Sequence, residues 1–371
     1  MRIAVLNVGT ATVRAALVDI ESGEATVRAR HSVESAGRDP GEASAEALES
    51  LGVRADEIDA ASHRIVHGGT RYTAPIVLDS ALEAALEKAA PLAHLLNAAP
   101  LAGVGAARRF FPSAPHVAVF DTAFHACRPL ESLYYALPRE LTDAFALYRY
   151  GFQGIAHEAL VESYAAAAGK PRDQVSALTL QLGAVCSACA VEGGRSIETS
   201  SGFSPLEGLV TTTGCGSLGP GVLIHLCAQG YSPEWIEERL TRRAGLLGLA
   251  GCDSVPELLE REAGGEERAA LAVRIFVSRI VMTAGAFLTL LNGQGAVVFG
   301  GGIGAGSAEI RRRVLEGLAT WNVQVDLARN EASAGGRISA DGSRPVYVFE
   351  TDEESAIARS AARTLELSLI N

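Results

Sequence analysis

Hydrophobic and polar positions at the start of the chain alternate in the pattern of three consecutive β-strands. Apolar residues dominate positions 3–6, and positions 13–18 alternate after a short polar turn. A second turn at residues 21–24 contains a glycine, and residues 25–33 alternate again. Because successive strands joined by short turns pair with their neighbours, the pattern predicts an antiparallel meander.

The same pattern returns in the second half of the chain. We predict strands over residues 177–184, 185–191 and 196–199, with a glycine-containing turn at residues 192–195. A repeated unit of this kind indicates an internal duplication. Since helices and further parallel strands follow each meander, the 371 residues are predicted to form two similar α/β lobes around a cleft.

Apolar periodicity also predicts the remaining elements. Helices are expected over residues 80–90, 92–110, 156–168, 266–291, 308–318 and 355–369, and strands over residues 117–120, 296–299 and 346–349. Asp121 directly follows one of these strands, at the end where open α/β sheets bind ligands. Gly300–Gly304 is predicted as a glycine-rich turn, which lets the backbone approach a flat ligand such as an adenine ring.

Composition and charge exclude several classes of partner. The net charge of −11 argues against nucleic acid, since a phosphate backbone binds to a basic surface. The most apolar helix carries Arg274 and Arg279, which favours a buried helix over a membrane span. Cys186 and Cys189 lie three apart on a predicted strand and so point to opposite faces, which makes a shared zinc ion unfavourable. Reduced thiols in a cytoplasmic protein are the preferred interpretation.

The turn after the first strand combines an amide, a glycine, two hydroxyls and a cation: Asn7, Gly9, Thr10, Thr12 and Arg14. Backbone N–H groups at such a turn, together with the hydroxyls, can bind phosphate oxygens. The amide of Asn7 can hold a hydrated Mg²⁺ ion. An ordinary hairpin with a polar turn fits the same residues, so this stretch alone leaves both interpretations open.

Motifs spread from one end of the chain to the other resemble those of the acetokinase family, the acetate and butyrate kinases of the actin/hexokinase-like superfamily. Phe120–His125 matches the family's F-D-T-A-F-H, and His63–Gly69 matches H-R-x-V-H-G-G. The other matching segments are Asn7–Arg14, Arg149–Phe152, Gly202–Gly208, Phe299–Gly304 and Thr351–Glu354. The segment before Ser62 is shorter than in the family.

The resemblance implies two duplicated ribonuclease-H-like lobes around a nucleotide cleft. The N-terminal lobe, on the acceptor side, would comprise residues 1–149 and 355–371. The nucleotide-binding C-terminal lobe would comprise residues 150–354. The implied protein is a homodimer that transfers a phosphoryl group from ATP to a short carboxylate such as acetate, giving an acyl phosphate and ADP.

On the acceptor side, the resemblance implies a role for each matching residue. Asp121 would orient or deprotonate the acceptor, and Arg64 would bind the acceptor carboxylate or the transferring phosphoryl group. Phe152 would form a wall of the acceptor pocket, and Gln153 would lie in the substrate site beside it.

On the nucleotide side, Asn7 and Glu353 are implied to position Mg²⁺. The residues implied to bind ATP and line the phosphate path are Thr10, Thr12, Arg14, Gly183, Gly300, Gly301, Gly302, Ile303 and Gly304. In-line phosphoryl transfer of this kind depends mainly on positioning and on charge neutralisation.

The chain departs from the family motifs at positions that would stabilise the transferring phosphoryl group. Gln153 stands at the histidine of R-Y-G-F-H-G, residues 181–185 read Q-L-G-A-V for H-L-G-N-G, and Gly214 replaces the arginine of G-T-R-S-G-D. The histidine of A-P-L-H-N-P aligns with Leu96 without a gap, or with His94 after a one-residue insertion. Each hydrogen bond to a charged group contributes roughly 1.5–3 kcal/mol. The loss of three or four such donors therefore predicts phosphoryl transfer slower by about 10³-fold or more.

These departures leave two alternatives to an acetate kinase. The first is a degenerate family member that binds nucleotide with weak or no turnover. The intact Asn7, Arg64, Asp121 and Glu353 oppose it. The second is a kinase for another acceptor, since the loss of a histidine and an arginine would enlarge the pocket and remove positive charge.

Overall fold

The computed structural model describes residues 1–9, 11–89, 92–333 and 335–368, without the side chains of Ala93 and His94. The strands are β1 Arg2–Val8, β2 Thr12–Glu21, β3 Glu24–Glu34, β4 Ala60–Ile65, β5 Ile76–Val77, β6 His116–Phe120, β7 Ala177–Leu182, β8 Cys186–Glu192, β9 Arg195–Thr199, β10 Ala296–Gly300, β11 Gly336–Arg337 and β12 Val346–Val348. The α-helices are α1 Pro40–Glu49, α2 Ser80–Leu86, α3 Ala93–Leu96, α4 Ala98–Phe110, α5 Leu130–Leu133, α6 Arg139–Phe145, α7 Gly154–Ala168, α8 Pro220–Ala228, α9 Pro233–Arg242, α10 Gly245–Ala250, α11 Val255–Ala263, α12 Glu267–Leu290, α13 Gly301–Gly306, α14 Ala308–Gly317, α15 Leu327–Glu331 and α16 Glu353–Ser368.

The first sheet has the strand order β3-β2-β1-β4-β6-β5. Its first three strands form the predicted antiparallel meander, β4 pairs parallel with β1, β6 pairs parallel with β4, and β5 closes the edge antiparallel to β6. β1 is buried from Ile3 to Val8, which agrees with its continuous apolar run because a central strand is covered on both faces.

The second sheet repeats this arrangement strand for strand. Read from its meander side, the order is β9-β8-β7-β10-β12-β11, with an antiparallel meander, two parallel additions and an antiparallel edge strand. The predicted internal duplication and two-lobe α/β architecture are therefore confirmed.

Helix α7 links the packing of the two sheets, and α16 packs on the first sheet. Ile357 and Ala361 of α16 lie in the core of the first sheet, together with Ile155 of α7. Leu160 and Tyr164, farther along α7, pack in a core of the second sheet. Because α7 packs on both cores, the boundaries of the two lobes at residues 149/150 and 354/355 remain a prediction.

The prediction of one helix over residues 92–110 is wrong, because α3 ends at Leu96 and α4 begins at Ala98. The buried side chain of Asn97 donates to His67 O at 2.8 Å and accepts from His67 N–H at 2.9 Å. An uninterrupted helix would also place Pro100 in the helix interior, where its ring clashes with the carbonyl four residues earlier.

The prediction of a glycine turn at residues 300–304 is also wrong, because the chain enters α13 directly after β10. Gly301 has φ +77°, and a Cβ atom there would lie 2.4 Å from Leu182 O. Glycine is therefore required where this segment crosses the end of β7.

Helix α12 is, among the described residues, the helix that is long and apolar enough to cross a membrane. A core helix passes the same test. One face, including Phe276 and Ile280, is buried in the core of the second lobe. Met282 and Leu290 on another face are exposed. The predicted burial of this helix is thus confirmed for one face only.

Candidate active site

A cleft of about 640 Å³ opens between the two sheets. The β1–β2 turn and Arg64 line one side, and the β7–β8 turn and the start of α13 line the other. Gln153, at the beginning of α7, and residues 348–353, between β12 and α16, complete the lining. Both lobes therefore contribute polar groups to one space. This space lies at the carboxyl ends of the parallel strands, where open α/β sheets bind ligands.

The two turns that face the cleft occupy equivalent positions in the duplicated lobes. In each lobe, a three-residue loop joins the first two strands of the meander. Asn7 pairs with Arg14 across the first hairpin, and Gln181 pairs with Ser187 across the second. The pair Asn7/Arg14 is therefore the structural counterpart of the pair Gln181/Ser187.

The segment that joins β12 to α16 contacts both hairpins. Asn7 Nδ2 donates to Glu353 Oε2 at 2.8 Å and to Glu354 Oε1 at 3.1 Å. Thr351 Oγ1 donates to Gln181 Oε1 at 2.8 Å. This short segment therefore connects the counterpart residues of the two lobes.

Arg64 of β4, which is partly buried, forms an ion pair with the buried Asp121 at the end of β6. Arg64 Nε donates to Asp121 Oδ2 at 2.9 Å, and Nη2 donates to the same oxygen. Arg64 Nη1 also donates to Val8 O at 3.4 Å, beside the first turn. Burial raises the pKa of the Asp121 carboxyl, and the charge of Arg64 opposes that rise. An anion in the cleft would compete with Asp121 for this guanidinium.

Asn7 and Glu353 have the donor chemistry for Mg²⁺, which prefers oxygen ligands and is usually bound through one or two carboxylates plus substrate phosphates and water. Both residues line the cleft. Because Asn7 Nδ2 is bonded to carboxylates, Asn7 Oδ1 is the atom left for an ion. Among the described residues, no group of three or more His, Cys, Asp or Glu could hold a metal ion. These residues therefore fit an ion that is bound together with a nucleotide.

Gln153 and Phe152 lie at the entry to α7. Gln153 has a left-handed backbone, with φ 57°, and lines the cleft. The following N–H, of Gly154, donates to Asp121 O at 2.9 Å, which fixes the start of α7 to the end of β6. Phe152 is buried against His67, with ring centroids 5.6 Å apart. Gln153 thus faces the cleft, whereas Phe152 packs behind its wall.

The second turn is uncharged. Ala184 and Val185 line the cleft, and Val185 is 44% exposed there. The arginines that line the cleft, within the described part of the chain, are Arg14 and Arg64, and both belong to the first sheet. Positive charge therefore reaches the cleft from one side only.

The loop over residues 211–217 contributes no residue to the lining of the cleft. Gly214 N–H donates to Thr211 Oγ1 at 2.7 Å within this loop. Leu96 also lies outside the lining. Since the His94 side chain lies outside the described residues, the choice between Leu96 and His94 stays open.

Many of the predicted site residues meet in this cleft. Those that line it are Asn7, Thr12, Arg14, Arg64, Gln153, Gly183, Gly301, Gly302 and Glu353. Those outside the lining are Asp121, Phe152, Gly300, Ile303 and Gly304. Thr10 lies outside the described residues.

Sequence reasoning missed further residues that line the cleft: Gln181, Ser333, Gly335, Glu350 and Thr351. Gln181 and Thr351 lie inside family-type motifs, so the motifs contained a usable signal. Ser333 and Gly335 lie in a loop without a motif, and only the tertiary structure brings that loop to the cleft.

Sequence comparison confirms the resemblance. A sequence model of the Acetokinase family matches residues 41–359. The acetate kinase of Corynebacterium jeikeium is 37% identical over 324 residues, which cover 85% of this chain and 80% of that protein. The acetate kinase of Clavibacter michiganensis is 42% identical over 306 residues, which cover 81% of this chain and 77% of that protein.

Solved structures agree with the sequence comparison. The acetate kinase of Porphyromonas gingivalis has a TM-score of 0.90 at 29% identity, covering 98% of this chain and 99% of that chain. A propionate kinase from Francisella tularensis has a TM-score of 0.87 at 30% identity, covering 97% and 98%. A ROK family protein from Streptococcus pneumoniae, at 11% identity and a TM-score of 0.51, shares the fold alone. The predicted actin/hexokinase-like fold is therefore confirmed.

Proposed function

Because the chain belongs to the Acetokinase family, we propose that it is a kinase that transfers the terminal phosphoryl group of ATP to acetate or a similarly short carboxylate. A carboxylate oxygen attacks the γ-phosphorus, the bond from that phosphorus to the β–γ bridging oxygen breaks, and ADP leaves. The product is an acyl phosphate. The main support for this proposal is the Arg64–Asp121 ion pair, which lies beside the β1–β2 turn in the cleft.

On the acceptor side, Arg64 supplies the charge that binds the acceptor carboxylate or the transferring phosphoryl group. Asp121 holds the Arg64 guanidinium in place through its Oδ2 oxygen. Because a carboxylate acceptor is already ionised at neutral pH, the reaction needs no general base, so Asp121 orients rather than deprotonates. Phe152, packed behind this wall, limits the size of the acceptor.

On the nucleotide side, the proposed phosphate ligands come from both hairpins and from the start of α13: Thr10, Thr12, Arg14, Gly183, Gly301 and Gly302. Gly300, Ile303 and Gly304 lie behind these phosphate ligands and form the segment that would face the adenosine. Asn7 and Glu353 would hold Mg²⁺, which neutralises phosphate charge when it is bound.

Turnover is expected to be slow for a kinase of this family. The second lobe contributes no arginine to the cleft within the described residues, and Val185 occupies a position where backbone would approach phosphate. Charged donors bind phosphate oxygens more strongly than neutral ones. The missing groups therefore raise the barrier to phosphoryl transfer rather than change its chemistry.

A homodimer is proposed from the surface of the second lobe. Helix α8 is apolar, yet none of its residues is buried, and Ile224 is 69% exposed. Met282 of α12 is also exposed on this lobe. An apolar helix open to water indicates a surface that a partner covers. Sedimentation equilibrium should give a dimer, and Ile224→Glu should give a monomer.

A cytoplasmic location is proposed from the cysteines. All six are free thiols: Cys127, Cys186, Cys189, Cys215, Cys227 and Cys252. Cys186 and Cys189 are buried in different cores, on opposite faces of β8 as predicted. Unpaired cysteines are typical of a reducing compartment.

The test of the proposed function is an acceptor panel. The protein is incubated with Mg-ATP and acetate, propionate, butyrate or small alcohols, and ADP and hydroxylamine-trapped acyl phosphate are both measured. The expected result is acyl hydroxamate that depends on a short carboxylate. ADP that depends on an alcohol, without hydroxamate, would indicate a different acceptor. Nucleotide binding by calorimetry without acceptor-dependent ADP would indicate a degenerate kinase.

A further inference from the structure

We infer that the amide NH₂ groups of Gln153 and Gln181 bind oxygens of the transferring phosphoryl group, and that hydroxyls behind them fix both amides in this orientation. The inference rests on the proposed phosphoryl transfer and assigns what the second lobe contributes to it. In the family motifs a histidine stands at each of these two positions.

Gln181 lies at the end of β7, is 7% exposed and lines the cleft. Its Oε1 accepts a hydrogen bond from Thr351 Oγ1 at 2.8 Å. The Thr351 hydroxyl also accepts Gly301 N–H at 3.1 Å, so it is held on two sides and its single proton goes to Gln181. Among the described residues, Gln181 Nε2 has no protein partner and is not sealed from solvent. The amide NH₂ therefore faces the cleft.

Gln153 is held by a chain of buried groups. Its Oε1 accepts from Ser187 Oγ at 2.5 Å, and Ser187 Oγ lies 2.8 Å from His157 Nε2. Since Ser187 gives its only proton to Gln153, it must accept one from His157 Nε2–H. The Thr179 hydroxyl lies 2.7 Å from His157 Nδ1 and 3.3 Å from Cys189 O, and we assign its single proton to the shorter contact, so His157 Nδ1 accepts. The carbonyl oxygen of Gln153 is thus occupied, which leaves its NH₂ group for the cleft.

The protonation of His157 agrees with this direction of the hydrogen bonds. Burial lowers the pKa of His157 to about 3, so the imidazole is neutral and has one donor and one acceptor nitrogen. The chain uses both nitrogens in that way. A protonated ring would also carry a proton on Nδ1, which could then no longer accept from Thr179.

The two glutamines act on the same part of the cleft. Gln181 and Ser187 are paired across β7 and β8, so their Cβ atoms are about 4.5–5.5 Å apart on one face of the sheet. Ser187 in turn bonds to Gln153. Gln153 and Gln181 are therefore both neighbours of Ser187, and both line the same cleft as Arg64.

Amide groups suit the chemistry of this position. In phosphoryl transfer, charge is spread over three equatorial oxygens of the transferring group. Each amide offers two N–H donors and stays neutral, so it donates without a required protonation state. Ser187 and His157 do not touch the substrate. They are positioning residues that keep the carbonyl oxygen of Gln153 turned away from the phosphoryl oxygens.

The test uses a planar phosphoryl mimic, aluminium fluoride, with MgADP and acetate, and measures binding by calorimetry against MgADP alone. Gln153→Leu and Gln181→Leu are each expected to weaken binding of the mimic about 10- to 100-fold, with MgADP affinity unchanged. The matched control is Gln324→Leu, which removes an exposed amide far along the chain and should change neither affinity. Unchanged binding of the mimic in both cleft variants, or no binding of the mimic by the wild type, would overturn the assignment.

The positioning role has its own readout. Ser187→Ala should weaken binding of the mimic as much as Gln153→Leu does. In the Gln153→Leu background, Ser187→Ala should cause no further loss of affinity for the mimic. An equal further loss in the double variant would overturn the positioning role.

Long-range ¹⁵N spectra should show His157 protonated at Nε2. Protonation at Nδ1 would reverse the hydrogen-bond chain and overturn the orientation of Gln153. If the wild type binds the mimic through both glutamines but forms no acyl phosphate, the proposed function fails and this assignment stands.

Discussion

The two hairpins that face the cleft have the same fold but different chemistry. The first presents Asn7 and Arg14, with Arg64 and Asp121 beside it, and the carboxylates of Glu353 and Glu354 hold its amide. The second presents Gln181 and Ser187 at the counterpart positions. Neutral hydroxyls and an uncharged imidazole support it.

This difference shows that two duplicated lobes can have the same strand arrangement while the cleft-facing hairpin of one lobe is uncharged. Strand order and the direction of strand pairing are the same in both lobes, because buried apolar positions determine them. The residues at the turn are free to change, since they face the cleft. In this protein the first hairpin keeps ionic groups, and the second keeps only hydrogen-bond donors.

The largest expected effect comes from the charged half. Asp121→Asn should lower kcat for acyl phosphate formation by about 10²-fold or more, because Arg64 loses the partner that fixes its guanidinium. ATP affinity should stay nearly unchanged, since Asp121 lies outside the lining of the cleft. Hydroxamate assays and calorimetry measure the two quantities, with thermal unfolding as the control for folding. Activity equal to that of the wild type would remove Asp121 from the mechanism.

A smaller effect is expected on the stability of the folded protein. It comes from His157, which supports the uncharged second hairpin. His157 has a pKa of about 3 in the folded protein and about 6.5 when unfolded, so below pH 6.5 the unfolded state binds the extra proton. The free energy of unfolding should therefore fall as pH decreases, with His157 contributing about 2 kcal/mol of that loss between pH 7 and pH 5. Urea unfolding at both values, compared with His157→Asn, isolates this contribution because the other buried histidines remain in both proteins. The same loss in the variant would contradict it.

The smallest effect concerns restoring the family residues in the second turn. The double variant Ala184→Asn, Val185→Gly should raise kcat about tenfold, because it adds an amide donor and lets the backbone approach phosphate. The control is Gln324→Leu, an exposed position outside the lining of the cleft, which should leave kcat unchanged. An unchanged rate in the double variant would mean that charge, not donors in this turn, limits turnover.

Sequence reasoning succeeded where local pattern and physics agree. Both meanders, the long helix and the terminal helix have strong apolar periodicity, and each was predicted within a few residues of its observed bounds. The break at Asn97 was missed because it depends on hydrogen bonds to His67, 30 residues away in sequence. The helix at Gly301 was missed because glycine runs usually indicate turns, whereas here the space beside Leu182 requires glycine.

The sequence by itself determined the duplicated fold, the family and the identity of the altered positions, because periodicity and motifs are local properties of the chain. The tertiary structure decided which atoms those positions present to the cleft. The orientation of Gln153 depends on Ser187, His157 and Thr179, which come from separate helices and strands. A hydrogen-bond chain has a direction only when all of its members are in place, and no single stretch of the sequence contains them all.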